Sequence, residues 1–280
     1  MFPKIPLGDA VEWLIAMIRT NFRPVLRGMS DILSSIVSGL INLLGSVHPL
    51  ILILLLSLLV WKLTNRKTAL LTLFGFLLIE NLGLWPDLLI TFVLVLVATF
   101  ISLVIGIPLG IACARSNRIN SYVTPVLDLM QTMPAFVYLI PAVMFFRVGS
   151  VPAIVATFIF SVPPTIRLTN LGIRQVPTEL IEAADSFGAT PRQKLIKVQL
   201  PLALPTIMAG VNQCIMLALS MAVIAAMVGA GGLGRVVWSG IQTLDVGLGF
   251  EGGLAVVILA IILDRISHGL INRSKKIQEG

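Results

Sequence analysis

The chain has 280 residues, of which 57% are hydrophobic and only 12% charged. A soluble domain solvates itself with a charged surface, and this composition lacks the residues to make one. The formal net charge of +7 invites a nucleic-acid reading, but most basic residues fall between apolar runs, as loop charges beside a bilayer do, and that excludes it.

Residues 1–8 hold one Lys, and no short apolar core with a small-residue cleavage site follows, so no cleavable signal peptide is expected. Residues 1–46 form an amphipathic segment. Val11, Leu14, Ile18, Phe22, Val25, Met29, Ile32, Ile36 and Leu40 recur at helical spacing, and Arg19, Arg23, Arg27, Ser30, Ser34 and Ser38 make a separate polar stripe. Such a pattern predicts a helix lying along the membrane surface. The competing reading makes 30–47 an eighth span; Asp31, five serines and Asn42 weaken it.

Apolar runs at about 49–65, 68–85, 87–114, 122–146, 150–172, 202–229 and 250–271 predict about seven transmembrane helices, since roughly 20 apolar residues cross the hydrocarbon. The first two, within 47–85, read as accessory helices ahead of a core at 86–271, and 272–280 reads as a basic tail. Lys62, Arg66, Lys67, Arg115, Arg118, Arg167, Arg174, Arg192, Lys194, Lys197, Arg265, Arg273, Lys275 and Lys276 all fall on one side of this arrangement. Past the N-terminal segment, only Arg147 and Arg235 fall on the other. The positive-inside rule makes the first side cytoplasmic, with the 178–201 loop and the C-terminus on it. The N-terminal segment then sits outside, carrying Lys4 and three arginines against the usual bias.

Within the fourth run, Asp128 and Gln131 lie one helical turn apart on one face. A carboxylate near the bilayer centre costs roughly 2.5–3.5 kcal/mol on insertion scales, so it faces protein or water. Asp128 is either a pathway or gate position or, preferably, a packing partner of Arg167 near the cytoplasmic end. Phe136, Tyr138, Phe145 and Phe146 follow in the same run, where aromatics usually serve packing.

Between two long apolar runs, the stretch 178–201 is polar and predicts a helical elbow. Thr178 is expected to cap a first short helix with Leu180, Ile181, Ala184 and Phe187 on its apolar side. Gly188 ends it, because glycine enters the left-handed region without steric cost. Thr190, Pro191 and Gln193 read as a capping box opening a second helix, which Pro201 is expected to stop. An elbow too short to fold alone is a docking surface.

Gly229-Ala230-Gly231-Gly232-Leu233-Gly234 spells G-x-G-x-x-G, but it follows an apolar run rather than a strand. A tight turn near the outer mouth, for close packing or gate motion, is expected instead of a nucleotide site. Glu80 is expected to snorkel at a span end, and Asp264-Arg265 to mark a boundary. Cys113 and Cys214 read as free thiols. His48 and His268 sit at opposite span ends without a cluster to make a metal site, and no nucleophile–base pair appears.

Glu182-Ala183-Ala184, then Gly188, Val198 and Leu200-Pro201, resembles the EAA loop of ABC importer permeases, with Val198 where the family usually has isoleucine. The likeness extends over roughly 85–270, the type I importer transmembrane domain. Two further stretches, Leu127–Pro141 and Ala218–Gly229, are similar to the permease subunit of glycine betaine/proline betaine osmoprotectant importers. The amphipathic N-terminal segment also fits that branch.

The resemblance implies an all-α membrane protein of the prokaryotic cytoplasmic membrane. It would work as a homodimer with the pathway at the subunit interface, beside two ATPase subunits and an extracytoplasmic substrate-binding protein, since the chain ends at Gly280 without a receptor domain. Glu182, Ala183, Ala184, Gly188, Leu200 and Pro201 would couple it to the ATPase. Asp128, Gln131, Phe136, Tyr138, Gly229, Gly231, Gly232 and Gly234 are candidates for the pathway or gate. ATP and magnesium would bind the partner and not this chain, which hydrolyses nothing. Choline or carnitine is the near alternative cargo. A stand-alone channel or secondary transporter is the rival of another class, predicting deep charges, of which the sequence has few, and inverted repeats, of which it shows none.

Overall fold

The computed structural model describes residues 7–278, with side chains from 8 to 269. Lys4 and residues 279–280 of the basic tail lie outside the described residues, as do the side chains of Arg273, Lys275 and Lys276. The described chain is helical throughout, without a strand.

The amphipathic segment is two helices, α1 (Leu7–Asn21) and α2 (Arg23–Gly45), with Pro24 in the first turn of the second. Proline belongs there, because the N–H it lacks has no intrahelical partner at a helix start. Along α2 only Leu33 and Val37 are buried. They join a cluster with Val93, Leu94, Val97, Ala98, Phe146, Val151 and Ile154, and Leu26, Leu40, Ile41 and Leu44 lean on the same cluster. By length and apolarity alone α2 is also long enough to cross a membrane.

The first two apolar runs are short helices, α3 (Pro49–Leu63) and α4 (Arg66–Asn81), paired as a hairpin. Asn65 caps the second by accepting from the Thr68 N–H at 2.9 Å. Next come α5 (Trp85–Arg115) and, after the fourth run, α8 (Ser150–Arg174). A later helix, α11 (Leu200–Ala225), packs on α8 from the other side, so α8 is the buried centre of the bundle. Small residues permit these contacts. A Cβ on Gly110 would lie 2.6 Å from Thr169 Cβ and 2.8 Å from the Ile166 carbonyl oxygen, and one on Gly172 would lie 2.9 Å from Thr206 Cβ. Among helices in lipid, where no hydrophobic force draws one apolar surface to another, close backbone approach of this kind supplies the packing energy. Ser102 and Ser161 hydrogen-bond each other at 3.1 Å in the same buried seam.

The fourth run departs from the expected straight span. It is two helices, α6 (Asn117–Thr132) and α7 (Ala135–Phe146), bent by 101°. Pro134 removes the N–H that would bond the Met130 carbonyl and forces Met133 to extended backbone, φ −74° and ψ 138°. The orphaned Met130 carbonyl accepts from the Tyr138 hydroxyl instead.

After α11 the glycine turn leads to a helix the sequence reading did not anticipate, α12 (Leu233–Thr243), which packs on the last helix, α13 (Val246–Gln278). A Cβ on Gly240 would lie 2.5 Å from the Gly249 nitrogen, so these two backbones touch. Among the described residues five helices are long and apolar enough to span a membrane, or six counting the bent pair; α3 is apolar but shorter.

Candidate functional site

The elbow stands at the end of the bundle where α8 stops and α11 begins. The first elbow helix is α9 (Thr178–Ser186). Thr178 does not cap it: Pro177 occupies the cap position, Thr178 is already the first helical residue, and no side chain closes that end. Gly188 makes the bend as expected, with φ +74°. There the Gly188 N–H donates to the Asp185 carbonyl at 2.9 Å and the Ala189 N–H to the Ala184 carbonyl at 3.0 Å, satisfying carbonyls the helix end leaves over.

Thr190 then forms the full capping box. Its hydroxyl accepts from the Gln193 N–H at 3.3 Å, and the Gln193 side-chain oxygen accepts from the Thr190 N–H at 2.8 Å. It opens α10 (Pro191–Lys194). Pro201 does not stop this helix. The backbone widens to π geometry over Leu195–Gln199 and runs on into α11, giving one rod over Pro191–Val228. The wide turn lets Pro201 stand near the start of α11 without ending the rod, because a π segment already displaces the regular bonding ladder. The second arm of the elbow is therefore continuous with a long helix of the bundle core.

Glu182 and Ala183 are exposed, Ala184 is half-buried, and Leu200 and Pro201 are half-buried at the root of α11. Leu195 is buried with Ile173, Ala203 and Ile207, which seats the elbow on α8 and α11. The outward side is different. Phe187 is 92% exposed and Leu180 43%, so these two members of the apolar side of α9 stand uncovered among the described residues, while Ile181 and Ala184 are half-buried. Across the bend, Lys194 Nζ lies 2.7 Å from both carboxylate oxygens of Asp185. Sequence reasoning missed this clamp. The two residues are nine apart, outside the i, i+4 spacing that marks a helical pair, and they meet only because Gly188 turns the chain.

Behind the elbow a polar network ties α5, α6 and α8. Arg174 donates to the Cys113 carbonyl and to the Asn170 side-chain oxygen, both at 2.8 Å, and Asn170 donates to Asn120 at 2.8 Å. Arg167 pairs with Asp128, joining α8 to α6. Of the other pathway candidates, Gln131 and Phe136 are exposed, and Tyr138 is buried at the α6–α7 break.

The glycine turn lies at the opposite end. Gly229, Gly231 and Gly232 all have positive φ. A Cβ on Gly232 would lie 2.4 Å from Thr91 Oγ1, and that hydroxyl accepts from the Leu233 N–H at 2.8 Å. Gly234 backs onto Val223 Cα, and Gly229 onto Val148. The turn is a close-packed junction of α5, α11 and α12, reinforced by Arg235 on Asp87 at 3.1 Å. The structure does not bring it to Asp128 or Gln131. Both cysteines are free and buried, and among the described residues no group of three His, Cys, Asp or Glu is placed to hold a metal ion.

Residues 106–276 match the family described as binding-protein-dependent transport system inner membrane component. Over 273 residues the chain is 50% identical to the glycine betaine transport system permease protein OpuAB of Bacillus subtilis (strain 168), covering 98% of this chain and 97% of that protein. It is also 50% identical over 266 residues to the glycine betaine/proline betaine transport system permease protein ProW of Escherichia coli (strain K12), covering 95% of this chain and 75% of that protein. In fold it resembles a chain of the MetNI methionine ABC transporter solved in an inward-facing conformation. The TM-score is 0.62 at 23% identity, covering 66% of this chain and 93% of that one.

Proposed function

Since the chain belongs to the family of binding-protein-dependent transport system inner membrane components, we propose that it is the permease subunit of an ATP-driven importer of a quaternary-ammonium compatible solute, glycine betaine or proline betaine. The likeness to OpuAB and ProW over nearly the whole chain supports that cargo class.

One observation carries the mechanism: the exposed arm α9, turned by Gly188 and clamped by Lys194, stands on a helix that runs without a break into the bundle core. On this reading Phe187 and Leu180 insert into a groove of an ATPase subunit, a helix-in-groove contact. Glu182 flanks the contact, Ala183 and Ala184 keep the helix face slim, and Leu200-Pro201 roots the lever. ATP binding and hydrolysis occur on that partner, with its magnesium. Closure of two such partners pushes two elbows, and the rod Pro191–Val228 carries the displacement through the bilayer.

Two copies of this chain enclose the pathway, and a separate substrate-binding protein delivers solute at the far end. The elbow and C-terminus face the cytoplasm, as the fourteen cations on that side support. The α1–α2 segment lies along the far interface. Leu26 and Leu44, at the two ends of α2, both lean on a cluster of residues toward the far ends of the helices, which supports this placement. Asp128, Gln131, Phe136 and Tyr138 belong to the moving α6–α7 break, and Gly229, Gly231, Gly232 and Gly234 to the hinge that closes the far end.

The test is uptake of radiolabelled glycine betaine into proteoliposomes holding the chain, its ATPase and its binding protein, with choline and carnitine as competitors. ATP-dependent uptake that choline fails to displace is expected. Uptake that persists unchanged without ATP, or with Gly188→Leu, sinks the proposal.

A further inference from the structure

Beyond transport, the far end of the molecule holds a cavity of about 770 Å³ between the N-terminal helices and the end of α7. Arg19, Arg23 and Arg27 line it from α1 and α2, and Arg147 from the turn after α7; Asp31 is the one carboxylate among its lining residues. Among the described residues none of these four arginines lies within ion-pair distance of a carboxylate. Four like charges gathered at one cavity repel, and the single carboxylate in the lining, Asp31, offsets only one of them.

Arg147 has φ +65° and ψ −175°, a region essentially reserved for glycine. The strained residue lines the same cavity as the other three arginines. The arginines come from segments more than a hundred residues apart in sequence, so helical periodicity alone does not gather them.

We propose that this cavity binds the phosphate headgroup of an anionic glycerophospholipid. Guanidinium forks match phosphate oxygens in paired, charge-assisted hydrogen bonds, and several can share one phosphate. The apolar surroundings select a lipid over free phosphate. Leu26, Met144, Phe145 and Phe146 line the cavity beside the arginines. Beside it Val25 and Ile32 are 64% and 63% exposed along α2, a surface for acyl chains. On α1, Trp13 is 67% exposed, as tryptophan is at the headgroup level of a bilayer. The headgroup also supplies the negative charge that an arginine-rich amphipathic helix needs to rest on a membrane. The assignment does not depend on which leaflet the far end faces, nor on the cargo.

The full chain is reconstituted in nanodiscs of phosphatidylglycerol or phosphatidylcholine, and retained lipid is counted by native mass spectrometry after extraction. Wild type is expected to keep phosphatidylglycerol selectively. Arg23→Gln and Arg27→Gln lower retention about fivefold for each cation removed, whereas Arg118→Gln at the elbow end leaves it unchanged. Melting curves confirm that the variants fold, and Arg19→Gln alone serves where the double variant does not. Arg147→Lys keeps the charge but loses the fork, and gives intermediate retention. Equal retention by wild type and the arginine variants overturns the site, as does equal retention of phosphatidylcholine. Inorganic phosphate that raises the melting temperature of the detergent-solubilised chain as much as phosphatidylglycerol does overturns the lipid assignment.

Discussion

Lys194 grips both carboxylate oxygens of Asp185 at 2.7 Å across the bend at Gly188. The lysine side chain is 22% exposed and the aspartate 51%, so the pair contributes little to global stability, about 0.2–1 kcal/mol. Its value lies in holding α9 at a set angle to the rod. Lys194→Gln is expected to leave the melting temperature nearly unchanged while lowering ATP-driven uptake severalfold. The loss should be mimicked in wild type by high salt, which screens an exposed pair. Uptake in proteoliposomes across a salt series checks this.

Phe187 offers the sharpest separation of folding from docking. At 92% exposure it contributes almost nothing to the isolated chain, yet a buried aromatic anchor at an interface is worth about 2 kcal/mol or more. Phe187→Ala should therefore melt like wild type and bind the ATPase subunit about thirtyfold more weakly. Co-purification of the complex, titrated with ATPase subunit, reads this directly. Equal binding would mean α9 is not the inserted arm.

Two glycines with nearly the same φ, +74° at Gly188 and +73° at Gly232, should respond differently to alanine. A Cβ at Gly188 meets nothing within 4 Å, so Gly188→Ala costs only the left-handed backbone, about 1–2 kcal/mol. At Gly232 the same carbon lands 2.4 Å from Thr91 Oγ1 and displaces the hydroxyl that accepts from Leu233. That adds a lost buried hydrogen bond, about 1–3 kcal/mol more. Thermal unfolding in detergent should rank Gly232→Ala clearly below Gly188→Ala, with Gly253→Ala, which meets nothing, near wild type.

Tyr138 bonds the carbonyl that Pro134 leaves over, so Tyr138→Phe strands a partly buried acceptor at the α6–α7 break. A destabilisation of about 1 kcal/mol is expected. Hydrogen exchange should rise locally over residues 130–138 and stay constant in α8 and α11. Pro134→Ala restores the missing N–H and should straighten the pair, which two spin labels on α6 and α7 would report as a lengthened separation.

Local chemistry alone made much of this protein legible. Apolar length placed the long helices α5, α8, α11 and α13, because hydrocarbon thickness sets how many apolar residues a span needs. Thr190, Gln193 and Gly188 declared the second elbow helix and the bend, because capping and left-handed backbone are decided within a few residues. Local signals were less reliable where several of them compete. Thr178 looked like a cap but Pro177 took the position, and Pro201 looked like a stop but a π turn absorbed it.

Tertiary structure alone decided the rest. Apolarity reads straight through Pro134, so hydropathy shows neither the 101° bend nor the reach of Tyr138 back to Met130. The contact of Gly232 with Thr91, the clamp between Asp185 and Lys194, and the meeting of Arg147 with Arg19, Arg23 and Arg27 all join residues beyond the reach of local periodicity. Such partners are set by how whole helices pack, and packing is a property of the assembled bundle.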